Sequence, residues 1–78
     1  MTRGEIREAI LYRPVGVAQK LIKDNNWSAK SVTETSKVFF PDEMGGTLDL
    51  TQTFVKVTTG EFDFRFVCDN STVTAFYP

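Results

Sequence analysis

Phenylalanine occupies every second position of Glu61-Phe62-Asp63-Phe64-Arg65-Phe66-Val67-Cys68, and charges fill most of the positions between. A period of two belongs to a strand that buries one face and exposes the other. The segment therefore predicts a sheet with Phe62, Phe64, Phe66 and Cys68 turned into a core. A chain of 78 residues fits one domain, residues 1–78, near the size at which a single core only just offsets chain entropy. Its 41% hydrophobic content marks a globular chain, and no apolar run reaches the roughly 18 residues of a membrane span.

The front of the chain reads as helix. Thr2 and Glu5 have the spacing of a capping box, and Ile6, Ala9, Ile10 and Leu11 follow at helical spacing. Pro14 forces the first helix to stop near Tyr12 and suits the first turn of a second. Val17, Ala18, Leu21 and Ile22 form the inner stripe of that helix, Asn25-Asn26 is its stop, and Trp27 is expected to fold back onto the core. From Ser31 onward threonine, valine and phenylalanine predict four strands, about Val32–Phe40, Thr47–Thr58, Glu61–Cys68 and Thr72–Tyr77. The expected fold is α+β: two N-terminal helices packed on one face of a four-stranded antiparallel meander.

Turn chemistry suggests the pairing. Thr58-Thr59-Gly60 suits a three-residue loop ending in a left-handed glycine, which places Val57 opposite Glu61, Phe54 opposite Phe64 and Leu50 opposite Cys68. A two-residue loop would pair Lys56 with Asp63 and Val55 with Phe64, but it requires Thr59 at positive φ. Asp69-Asn70 reads as a two-residue turn that pairs Phe66 with Val73, Phe64 with Ala75 and Phe62 with Tyr77. This arrangement leaves Val55, Val57, Val67 and Phe76, with Arg65 among them, on a sheet face that two helices cannot cover.

The residue inventory narrows the chemistry. The chain has no histidine and one cysteine, which removes Ser-His-Asp triads, HExxH zinc sites and cysteine-rich zinc sites. Asp42-Glu43 beside Gly45-Gly46 matches neither a Walker loop nor a calcium loop and reads as a solvated connection. No enzyme, cofactor or metal is expected. Cys68 continues the inward phenylalanine series and reads as a small buried hydrophobe. A lone cysteine and the lack of a signal-peptide pattern point to a cytoplasmic protein.

Charge is divided along the chain, with six basic residues against three acidic in residues 1–30 and three against seven thereafter. The basic third offers an alternative reading, a winged helix-turn-helix regulator in which Ser28–Thr35 forms a third helix and Arg3, Arg7, Lys20, Lys23 and Lys30 meet nucleic acid. The β-forming threonines and Val32 argue against that helix, and the acidic remainder opposes a long phosphate footprint. The favoured expectation is a small non-enzymatic protein-interaction module, an inhibitor or adaptor of the kind carried by phages and other mobile elements. It binds a partner protein or a second copy of itself through Val55, Val57, Arg65, Val67 and Phe76, with Phe76 as anchor. A subunit with a purely structural role in assembly is the third reading.

Overall fold

The computed structural model describes residues 1–42 and 44–78; Glu43, part of the expected connecting loop, lies outside the described residues. Helices α1 (Arg3–Ile10) and α2 (Val15–Asp24) precede strands β1 (Ser28–Phe40), β2 (Gly46–Thr58), β3 (Asp63–Asp69) and β4 (Thr72–Tyr77). The strands form one antiparallel sheet in the order β1-β2-β3-β4. The α+β architecture expected from the sequence is present.

Local signals at the helix ends operate as their chemistry requires. The Thr2 hydroxyl accepts from the Glu5 N–H at 3.2 Å, and the Glu5 carboxylate accepts from the Thr2 N–H at 3.1 Å. Those two bonds satisfy donors that the first helical turn otherwise leaves unpaired. Asn26 ends α2 at φ 56°, and the Asn25 side chain donates to the Leu21 carbonyl at 2.9 Å. Trp27 then turns back and meets the Phe64 ring edge-on, with centroids 6.0 Å apart.

The core lies between the helices and one sheet face. Ile6, Ile10 and Ala18 from the helices meet Val57, Phe64, Phe66 and Val73 from the sheet, all buried. Phe64 stacks against Phe76 at 5.2 Å and Phe66 at 6.5 Å. The loop between the helices also pairs with the start of β4. Tyr12 N–H donates to the Val73 carbonyl, and Val73 N–H donates to the Arg13 carbonyl, so this edge of the sheet is partly covered.

Three features differ from the sequence expectation, each for a physical reason. Strand β1 begins at Ser28 rather than Val32, and Ser28–Thr35 is strand, not a third helix. Its paired register with β2 runs from Ser28↔Thr58 to Phe40↔Gly46 without interruption, in keeping with its β-branched residues.

The β2–β3 register is Val55↔Phe66 and Val57↔Phe64, which neither expected loop produces. Thr59 is responsible. Its hydroxyl oxygen accepts from the Glu61 and Phe62 N–H groups at 3.1 and 3.0 Å and its O–H donates to the Phe62 carbonyl at 2.8 Å. The Thr59 N–H also donates to that carbonyl at 3.0 Å. The turn is thus closed at Thr59–Phe62 without a left-handed Gly60. An odd shift in register exchanges the faces of a strand. Val57 is consequently in the core and Val55 packs against it, whereas both had been expected on the uncovered face. Phe54 moves the other way.

The β3–β4 turn lies at Asn70-Ser71, with φ 48° and 70°, one residue later than expected. A bulge between Val67 and Cys68 then brings Phe76 opposite Phe66 and Tyr77 opposite Arg65. A bulge adds one residue and reverses the faces beyond it. Phe76 therefore packs against the core and is not an exposed anchor.

Replacing Phe64 by Ala removes the ring that Trp27, Phe62, Phe66 and Phe76 all surround. The expected loss is about 3–5 kcal/mol, typical of a buried phenylalanine truncated to a methyl group. Urea unfolding checks it, and a wild-type midpoint would contradict this core.

Candidate protein-binding face

Beyond Val55 and Phe66 strand β2 has no partner in β3. The far part of the β1–β2 hairpin is therefore a two-stranded ribbon extending past the body. The molecule measures 49 × 24 × 20 Å, with a radius of gyration of 14.9 Å against about 11.5 Å for a compact chain of this length.

Strand alternation gives this ribbon two unlike faces. One continues the helix side and carries Thr33, Thr35, Lys37, Thr47, Asp49, Thr51 and Thr53, with one exposed aromatic, Phe39, near the tip. Two cross-strand hydroxyl contacts, Thr33 to Thr53 at 3.1 Å and Thr35 to Thr51 at 3.2 Å, tie it together. It suits water.

The opposite face bears Val32, Ser36, Val38 and Phe40 from β1, with Leu48, Leu50 and Gln52 from β2. Phe40 is 39% exposed, Leu48 55% and Leu50 42%. From Ser36–Leu50 to Phe40–Gly46 this strip has no charged side chain. A two-stranded ribbon is marginal in water by itself, so an uncovered apolar strip along it is an energetic liability.

At the base of the same face the side chains are already partnered. The Arg65 guanidinium lies 4.5 Å from the Phe54 ring centroid and 5.4 Å from that of Tyr77, and the two rings meet edge-on at 5.5 Å. Glu34 accepts from Arg65 at 2.6 Å and from the Lys56 ammonium at 3.0 Å. The Lys56 hydrogen bond and then Arg65 hold the Glu34 carboxyl below its ordinary value, despite partial burial. Lys30 stands directly across from Lys56. Three cations thus occupy one row across β1, β2 and β3, with Glu34 as the carboxylate that touches two of them.

Of the five residues expected to form the binding face, only Arg65 and Val67 lie on the helix-free side. Val55, Val57 and Phe76 belong to the core side. Sequence reasoning missed Val38, Phe40, Leu48 and Leu50, although their alternation within Val38–Phe40 and Thr47–Thr51 was available as a signal.

The basic residues of the N-terminal third do not form one stripe. Arg3 lies over the Phe62 ring at 4.9 Å, Arg7 pairs with Glu8 at 3.8 Å, and Lys20 and Lys23 are on α2. Lys30 is on the helix-free face. Cys68 is half-buried against the core, and burial pushes its thiol up. No helix among the described residues is long and apolar enough to cross a membrane.

The Glu34 pair predicts a pH dependence with a definite sign. Because the folded carboxyl titrates below its unfolded value of about 4.3, the pair stabilises the fold above that pH. The contribution is lost as pH falls through the depressed folded value. Carboxyl NMR is expected to show the Glu34 midpoint rising in Lys56→Met; an unchanged midpoint would contradict the contact. Comparison with protein-family models, characterised proteins and solved structures gives no match.

Proposed function

We propose that this chain is a small non-enzymatic protein-interaction module that works inside the cell by occluding or bridging the surface of another polypeptide. One observation carries the reading: an exposed, charge-free apolar strip, formed by Val38, Phe40, Leu48 and Leu50, on the helix-free side of a projecting ribbon. Four apolar side chains gathered on one face, against a single exposed aromatic, Phe39, among the threonines and charges of the other, support a docking surface on the first. The rigid body beneath supports it. Arg65, clamped between Phe54 and Tyr77 and bonded to Glu34, holds the base of the ribbon against β3 and β4. A half-buried lone thiol at Cys68 is compatible with a reducing compartment.

A photo-crosslinking amino acid at position 50 tests the reading in the native cell. The strip predicts a covalent protein adduct from position 50 and little or none from position 51, whose side chain lies on the threonine face. Equal yields at both positions, or no adduct at either, would contradict it.

A further inference from the structure

We propose that the free edge of β1 takes up an extended segment of a different polypeptide as a fifth strand, apolar on one face and acidic beside Lys30. The inference rests on the protein-interaction reading above and names the form and chemistry of the partner.

The two outer edges of the sheet are built differently. Along β4 the inter-helix loop already acts as a neighbour: Pro14 bridges to Thr72, the Val15 N–H donates to the Ser71 carbonyl, and Tyr12 and Arg13 bond to Val73. Strand β1 is outermost on the other side, and among the described residues its thirteen positions pair with β2 alone. Its register runs without a bulge and its sequence has no proline, so two devices that commonly spoil an edge are missing. In an antiparallel pair every second residue turns its N–H and C=O away from the neighbour. A row of such groups at strand spacing is complemented by another extended backbone, the chemistry of strand addition.

Side chains along this edge specify the added strand. Lys30 stands opposite Lys56, and Lys56 opposite Arg65. Glu34 gives one carboxylate oxygen to Lys56 and the other to Arg65, and Lys30 has no ion-pair partner among the described residues. Directly opposed like charges are unfavourable on a sheet, and a carboxylate placed beside Lys30 by a new strand relieves them. A second copy of β1 cannot bring a free one, because Glu34 is the only acid in that strand and both its oxygens are engaged. The free edge of β2 along the ribbon has no equivalent cation, since Lys56 is flanked on both sides.

Toward the tip, β1 presents Val38 and Phe40 on the same face as Lys30. Apolar residues beside them widen the ribbon from two strands to three, the number at which a sheet with an apolar face becomes stable in water. On the opposite face Thr33, Thr35 and Lys37 call for polar neighbours. Antiparallel addition, the arrangement of the rest of this sheet, then fixes the order of the segment: apolar residues beside Phe40 and Val38 come first, and the acid beside Lys30 follows about eight residues later.

Selection from a displayed library of random peptides about fourteen residues long, on the purified full chain, tests the proposal. The expected consensus is apolar-x-apolar followed at that spacing by Asp or Glu. Lys30→Glu, with circular dichroism as a check on folding, weakens the consensus peptide by about fivefold, the scale of one exposed ion pair, and selects Lys or Arg at the same position instead. On the wild-type chain, N-methylating alternate amides of the peptide abolishes binding in one phase and spares it in the other, because only every second N–H faces β1. A library without this consensus, indifference to Lys30→Glu, or an equal response to both phases of methylation overturns the proposal. So does a dimer of the chain in sedimentation equilibrium whose β1 amides are protected from exchange. If the proposal is overturned but position 50 crosslinks another protein, this inference fails and the interaction-module reading stands. If position 50 gives no adduct either, both fail.

Discussion

A single hydroxyl group governs which side of this sheet is wet. Thr59 closes the β2–β3 turn by accepting from two backbone N–H groups and donating to the Phe62 carbonyl. The pairing that follows puts Val57 beside Phe64 and Lys56 beside Arg65. Each such bond contributes only about 1 kcal/mol net, but its structural effect exceeds its energy. Sliding the register by one residue would turn Val57 outward and bring Phe54 and Lys56 toward the helices. Burying an unpaired ammonium there would cost far more than the turn's bonds contribute.

From that register the two halves of the β1–β2 hairpin acquire different environments. Near the turn, β3, β4 and both helices enclose the odd-numbered side of β2, and Arg65 with Phe54, Tyr77 and Glu34 seals the even-numbered side. Farther along, the same alternation continues without helices on one side or β3 alongside. Threonines, with Lys37, Asp49 and the exposed Phe39, occupy the side that would have met helices, and Leu48, Leu50, Val38 and Phe40 occupy the side that meets nothing within the chain. The two edges of the sheet differ too. The inter-helix loop covers the start of β4, whereas β1 presents thirteen residues with one neighbouring strand.

Much of the architecture was legible because its signals are local. The Thr2–Glu5 capping box, the helical spacing of Ile6 and Ile10, the Asn25-Asn26 stop and the alternating phenylalanines each act within a few residues, and each appears as expected. The composition of each sheet face was not legible, because it depends on parity. The turn of Thr59 and the bulge at Val67/Cys68 each displace the pairing by an odd step relative to the expectation, and each exchanges inside for outside. Val55, Val57 and Phe76 consequently changed sides, while Arg65 and Val67, read directly from the phenylalanine alternation of β3, kept theirs. The extent of the ribbon was hidden for another reason: a strand's length can be read from its residues, but where its neighbour stops pairing with it cannot.

The central claim is the face assignment of β2, and inter-strand NOEs measure it directly. The account predicts ring contacts between Phe54 and Tyr77, with backbone contacts joining Val57 to Phe64 and Lys56 to Arg65. Observation instead of Phe54 ring contacts to Phe64, with Val57 opposite Glu61, would reverse the faces and contradict the account.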